Sequence, residues 1–268
     1  MVQKLEGVPE TLLIPLWAKA TETKRSKPII KDEKALEIME QIDYDFSKFD
    51  DQKPTQVSIA IRTELLDKAT KAFIDRYPSA SIINLGCGLD TRFLRVNNYK
   101  IQWYDLDFPE TIQIREQFFS VTEKYKMIAR NVFDYSWIDI IKPNEQVLII
   151  AEGLFMYFTE EEVKNLMNKL LDAFPGAEML LETIPDSLAK KSQKQDLIKK
   201  QYDIEAHFRW GIKNGEALEK FDRRIEFLEE WHYFDYHRER WKFIRWLSLI
   251  PTFKNRFGNR IVHLKFNQ

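Results

Sequence analysis

Cysteine is all but missing from this chain of 268 residues, where Cys87 stands alone. One thiol closes no internal disulfide and builds no thiolate metal cage. Neither device holds the fold, and a reducing compartment, the cytoplasm, is expected. Histidine is also scarce, with four in the chain, and the separations of His207, His232 and His237 suggest no metal cluster. An excess of one charge is absent too: 41 Lys and Arg face 42 Asp and Glu, which leaves no basic stripe for nucleic acid. The longest apolar runs, such as Val147–Ala151, fall far short of the roughly 20 residues that cross a bilayer. No basic-then-apolar signal pattern opens the chain. Neither nucleic acid nor a membrane is therefore expected as a partner.

Apolar side chains are plentiful. A hydrophobic fraction of 44% with nineteen Phe and seven Trp supplies surface to bury against the entropy cost of folding. The length suits a single domain over residues 1–268, carrying helical cap elements at about 1–53 and 186–222. Residues 9–50 read as helical segments with no strand alternation. From Thr55 to Tyr77, Ile61, Leu65, Leu66, Ala69, Ala72 and Phe73 recur at helical spacing, and Pro78 ends the helix.

Short β-branched runs then alternate with helical stretches. Strands are expected at Ser81–Leu85, Ile101–Asp107, Lys126–Ala129, Gln146–Glu152 and Glu178–Ile184, with helices near Pro109–Thr122 and Thr159–Phe174. Pro109 suits a first helical turn, and Thr159 with Glu162 makes a capping box. The order predicts an α/β fold with a mostly parallel sheet and helices on both faces. Glu230–Tyr236 and Asn259–Phe266 read as a late antiparallel pair at the sheet edge.

Four features carry chemistry. The first strand runs into Gly86-Cys87-Gly88, and glycines there let backbone approach a ligand while the next helix offers free N–H groups; a plain tight turn needs the same residues. In Asp105-Leu106-Asp107 the two carboxylates share a strand face. Asp107 follows the glycines by about 20 residues, the interval at which an acid meets ribose hydroxyls, although a solvated strand end has the same composition. Arg62 lies on the apolar stripe of its helix, where a guanidinium needs an anion, either an internal carboxylate or one on a ligand. Glu152, with Gly153, ends the most apolar strand, where a carboxylate meets either a cationic ligand group or a loop donor.

These pieces together resemble the leucine carboxyl methyltransferase family, in particular its bacterial O-methyltransferases of polyketide tailoring. The likeness runs from about Gly7 to Ile184 and rests on GVPETLLIPLWAKA from Gly7, Arg62, NLGCGLDTRF from Asn84, YDLDFP from Tyr104 and AEGLFMYF from Ala151. It implies a Rossmann-like class I methyltransferase with a seven-stranded sheet, an antiparallel edge strand and a helical cap. The implied cofactor is S-adenosylmethionine, leaving as S-adenosylhomocysteine, and the implied acceptor atom is an oxygen of a small molecule, on a carboxylate or a hydroxyl.

By the same resemblance, Arg62 holds the methionine carboxylate and Gly86, Cys87 and Gly88 pass beneath the methionine part. Asp107, with Asp105 and Leu106 beside it, binds the ribose. Asn131 and Val132 contact adenine, although the family more often has Asp where Asn131 stands. Glu152 and Gly153 lie by the methionine amine, and Lys19 is a further contact from the cap. The chain departs from the pattern after Ile184, so acceptor identity does not transfer. Methylation of a protein carboxyl group and donor binding without catalysis remain alternatives. A nicotinamide oxidoreductase is disfavoured by the missing third glycine. His207, His232 and His237 are candidate bases and Tyr157 a candidate orienting group, with none assigned. The aromatic stretch Trp231–Trp246 either lines an acceptor pocket or packs a core.

Overall fold

The computed structural model describes residues 9–143, 146–194, 207–241 and 244–268. Its centre is a seven-stranded sheet in the order β3-β2-β1-β4-β5-β7-β6. The strands are β1 (Ser81–Leu85), β2 (Gln102–Asp107), β3 (Tyr125–Ala129), β4 (Val147–Ala151), β5 (Glu178–Thr183), β6 (Ile225–His232) and β7 (Arg260–Phe266). The first five pair in parallel, whereas β7 runs antiparallel to both β5 and β6. The expected α/β class, parallel sheet and antiparallel edge are all present.

Alternation along the buried strands divides the core in two. Ile82, Trp103, Leu148, Ile150, Leu180 and Ile261 face α1 (Glu10–Thr23), α2 (Glu33–Gln41) and α3 (Lys53–Arg76). Ile83, Leu85, Tyr104, Leu106, Ile149, Met179, Leu181 and Val262 face the opposite side, where α6 (Glu160–Ala173) contributes Val163, Leu166, Met167 and Leu170. Both faces are therefore largely apolar, and their polar groups gather toward the carboxyl ends of β1 and β2.

Helix α6 starts where the capping box places it. Glu162 N donates to Thr159 Oγ1 at 3.2 Å, and Thr159 N donates to Glu162 Oε2 at 2.7 Å. Two otherwise orphaned amides are satisfied, so Thr159→Ala is expected to lower stability by about 1 kcal/mol. Urea denaturation checks this; an unchanged midpoint would show that the cap adds nothing to folding.

Three expected boundaries are corrected. The strand placed at Glu230–Tyr236 is Ile225–His232. It is an edge strand whose exposed glutamates interrupt the apolar pattern, while Tyr233–Asp235 closes into a 3₁₀ turn. The helix expected to reach Thr122 ends at Arg115 in α5 (Pro109–Arg115), whose last side chain turns inward to Asp105 and Tyr125. Among the described residues of the polar stretch 186–222, the α-helix is α7 (Asp186–Lys194) and Gly215–Lys220 is a 3₁₀ helix; residues 195–206 lie outside the described residues.

Candidate active site

Leu85 of β1 pairs with Leu106 of β2 on one side and with Ala151 of β4 on the other, and Ala151 pairs with Leu181 of β5. One residue further on, the same row reads Asp107, Gly86, Glu152, Glu182 across four adjacent strands. With strands about 4.8 Å apart, Asp107 and Glu152 stand about 10 Å from each other across Gly86. All four share the sheet face that carries α1 to α3, because Trp103, Ile82, Leu148 and Leu180 have the same parity and lie in that core. Gly86, Asp107 and Glu152 are thus brought together by register alone.

Arg62 reaches this row from α3. Its Nη2 lies 2.6 Å from Glu152 Oε1 and its Nη1 2.9 Å from Glu182 Oε2, while Nε has no hydrogen-bond partner. Glu152 Oε2 takes a second guanidinium, Arg92, at 2.6 Å. Burial alone would raise the Glu152 pKa, but Arg62 and Arg92 overrule it and hold the group below its ordinary value. For Glu182 burial wins over Arg62, the nearby Glu152 charge adds to it, and the pKa is raised. Glu182 is otherwise saturated: Oε2 also accepts from Gly153 N at 2.7 Å, and Oε1 accepts from the buried Tyr233 hydroxyl at 2.9 Å.

The network continues from Arg92 to Asp67 and Asp90, from Arg95 to Asp32 and Asp67, and from Lys19 to Asp90. By formal count five carboxylates, Asp32, Asp67, Asp90, Glu152 and Glu182, face four cations, Lys19, Arg62, Arg92 and Arg95, an excess of one negative charge. Asp90 is held far below the ordinary carboxylate range; burial pushes the other way, and Arg92 and Lys19 outweigh it.

The glycine loop closes the other side. Gly86 and Gly88 have φ of +64° and +48°, backbone that side-chain residues rarely adopt, and a Cβ on Gly86 would stand 2.8 Å from Leu154 Cδ1. Gly88 N donates to Asp107 Oδ2 and Phe108 N to Asp107 Oδ1, both at 2.7 Å. Two backbone bonds and a hydrogen bond from the Thr111 side chain therefore fix the carboxylate, with acceptor capacity left for other donors. Burial raises the Asp107 pKa despite those bonds.

Asp105 is placed differently from Asp107. It is fully buried and accepts from Asn84 Nδ2 (2.9 Å), Trp103 Nε1 (2.8 Å), Tyr125 OH (2.7 Å) and Arg115 Nη2 (2.5 Å). Its capacity is spent inside the protein. Arg115, held this way, donates from Nη1 to the Gly88 carbonyl at 3.0 Å and braces the glycine loop. Leu106 belongs to the far core and offers its carbonyl to Cys87 N at 3.1 Å. Burial pushes the Cys87 thiol up, so it stays neutral.

Next along the crevice, Arg130 N donates to the Asp107 carbonyl at 2.9 Å. That bond brings exposed Asn131 and buried Val132 to the end of β2. Asn131 Oδ1 accepts from Phe133 N at 2.9 Å, which leaves its amide nitrogen outward. Gly153, at φ +64°, lies between Arg62 and Glu182.

Asp32, Asp67, Asp90, Arg92, Arg95 and Glu182 were not singled out by sequence reasoning. A signal was present in Asp90-Thr91-Arg92 and Arg95, charges on a five-residue helix, α4 (Arg92–Val96), too short to expose them all. Three histidines stand on glutamates outside the row: His232 on Glu230 (3.1 Å), His237 on Glu64 (2.7 Å) and His263 on Glu178 (2.8 Å). Tyr157 packs on Phe208. From the stretch Trp231–Trp246, Tyr233, Phe234 and Trp241 enter the core, whereas Trp246 is 64% exposed.

Known proteins match this architecture. The chain is 32% identical over 236 residues to the tetracenomycin polyketide synthesis O-methyltransferase TcmP of Streptomyces glaucescens, covering 87% of this chain and 85% of that one. It is 30% identical over 186 residues to the S-adenosyl-L-methionine-dependent methyltransferase dpfgK of Gibberella zeae, covering 63% and 62%. Among solved structures, a DUF574 family protein from Streptomyces avermitilis shares the fold with a TM-score of 0.60 at 11% identity, covering 95% and 97%. Magnesium protoporphyrin IX methyltransferase from Synechocystis, crystallised with S-adenosylhomocysteine, does so with a TM-score of 0.51 at 9% identity, covering 88% and 94%. The model of the leucine carboxyl methyltransferase family matches residues 13–171. On this evidence the chain belongs to the leucine carboxyl methyltransferase family and is an S-adenosylmethionine-dependent methyltransferase.

Proposed function

We propose that the enzyme carries the donor on the row Asp107, Gly86, Glu152 and passes its methyl group to an oxygen of a small-molecule acceptor, a carboxylate or a hydroxyl. The observation that carries this reading is the row itself, with Arg62 above it. S-adenosylmethionine has one carboxylate against an ammonium and a sulfonium, and the cluster around Glu152 has the opposite excess of charge. The donor supplies an electrophilic methyl on sulfur. The chain's residues supply position.

In this reading Asp107 accepts from the ribose diol, an arrangement its two backbone bonds prepare. Glu152 accepts from the methionine ammonium. Arg62, whose Nε has no partner in the protein, turns toward the methionine carboxylate. Gly86, Cys87, Gly88, Leu106 and Gly153 contribute backbone surface, and Asn131 with Val132 flanks the adenine. Asp105 acts by bracing Arg115 and the glycine loop, and Glu182 by fixing Arg62 and the Gly153 amide. Both are positioning residues. Lys19, 3.5 Å from Asp90, belongs to the same support.

In-line displacement demands an acceptor lone pair aligned behind the methyl. A carboxylate is ionised at neutral pH and needs no base, and no base is assigned. The oxygen acceptor is supported by the activity in the name of the Streptomyces glaucescens relative. The buried, neutral Cys87 is in keeping with the cytoplasm.

Incubation with methyl-labelled donor and a panel of aromatic acids and phenols tests the reading. Label in a small molecule, released as methanol by mild alkali or stable as an aryl methyl ether, is expected. Label on nitrogen or sulfur, or only in protein, would overturn it.

A further inference from the structure

Among the described residues, eleven large apolar side chains are exposed, and five of these crowd into one excursion: Trp246, Leu247, Leu249, Ile250 and Phe257, at 38–64% exposure. They belong to two short helices, Ile244–Leu247 and Pro251–Phe257, joined by an elbow. Four of the five fall within one turn, where Leu249 N bonds to Trp246 O and Ile250 N to Leu247 O. Scattered single exposures need no explanation, but a contiguous apolar knuckle does.

Its charge is one-sided. From Arg240 to the last residue, Gln268, the chain has no Asp or Glu, although acidic residues are frequent elsewhere. Two guanidinium groups flank the apolar tip: Arg245 stands 4.8 Å over the Trp246 ring and Arg256 5.5 Å over Phe257. Of the acids beside it, Asp235 is matched by Lys254 and Arg238 and Asp186 by Lys190, and Glu239 lies 3.7 Å from the His237 ring. A second copy of the chain docked through the same patch would bring like charges together, which costs rather than gains energy. An anionic surface with an apolar interior complements both features: headgroups at the level of the guanidinium groups, acyl chains at the Trp246, Leu249 and Ile250 tip.

Topology sets the direction of this knuckle. The excursion leaves β6 at His232 and returns at Arg260 of β7; these two pair with each other, and Arg260 pairs with Thr183 at the end of β5. It therefore rises from the same sheet edge as the Glu152 and Glu182 row. We propose that the elbow at residues 246–250 docks the enzyme on an anionic lipid surface, with that edge turned toward the bilayer. No described helix is long and apolar enough to cross a membrane, and peripheral docking needs none.

Co-sedimentation of the full chain with phosphatidylcholine vesicles, with and without phosphatidylglycerol, tests the proposal. Binding is expected on the anionic vesicles, weakening as salt rises. R245Q/R256Q is expected to lower the partition coefficient about thirtyfold, and L249S/I250S to lower it with the melting temperature and S-adenosylhomocysteine affinity unchanged. Brominated acyl chains should quench the Trp246 contribution to the fluorescence, since Trp17, Trp103, Trp137, Trp210 and Trp241 are buried, and Trp246→Phe should abolish that quenching, which separates Trp246 from half-buried Trp231. Failure to pellet with anionic vesicles, or pelleting that R245Q/R256Q leaves unaltered, would overturn it whatever the acceptor proves to be.

Discussion

Arg62→Ala is expected to cost about 3 to 5 kcal/mol of stability, the range for removing one partner of a buried ion pair. For a chain of this size that corresponds to a melting temperature lower by about 10 °C. Arg62 is almost enclosed, and it faces two carboxylates, Glu152 and Glu182, from one guanidinium. Without it both remain buried, and burial pushes each toward its protonated form. The sign with pH follows. Glu152 sits below its ordinary value in the folded protein, so its contribution to stability is present above the unfolded value and lost as pH falls through the folded one. The gap between wild type and variant is therefore widest at neutral pH and narrows on acidification. Arg62→Lys keeps the charge but not the fork, and is expected to recover part of the loss. Melting curves across pH check this. A variant that melts with wild type at neutral pH would show that the pair is dispensable.

Asp107→Ala is expected to weaken donor binding by about 1 to 3 kcal/mol, roughly 5- to 150-fold, the scale of hydrogen bonds to a charged group. Asparagine is no neutral replacement, because Gly88 N and Phe108 N each donate to a separate carboxylate oxygen and the new amide would set N–H against N–H. The raised pKa of Asp107 adds a signature. The diol needs the ionised acceptor, so wild-type affinity is full above that pKa and falls as pH drops through it, starting at a higher pH than for an ordinary aspartate. The alanine variant lacks this dependence. Calorimetry with S-adenosylhomocysteine reads both effects, and an affinity equal to wild type would remove Asp107 from the site.

How much of this was legible in the sequence varies with the physics of each element. Buried parallel strands are continuous apolar runs, so β1, β2, β4 and β5 came within a residue or so of their observed bounds. β6 did not, because an edge strand has one wet side and its glutamates hide the periodicity. Glu152 and Asp107 were visible as acids that end apolar strands. Asp105 has the same type and parity, yet its carboxylate is consumed by Arg115, Tyr125, Trp103 and Asn84; nothing within a strand distinguishes the two. Arg62 was visible as a charge on an apolar stripe, but its partners lie 90 and 120 residues away, just past β4 and on β5, and only register places Glu182 beside Glu152.

A crystal structure with S-adenosylhomocysteine tests the central claim most directly. Both ribose hydroxyls should lie within hydrogen-bond reach of the Asp107 carboxylate, and the amino group of the homocysteine within reach of Glu152. A nucleoside seated on another part of the sheet edge, or an Asp107 that bonds only Gly88, Phe108 and Thr111 with the ligand present, would contradict it.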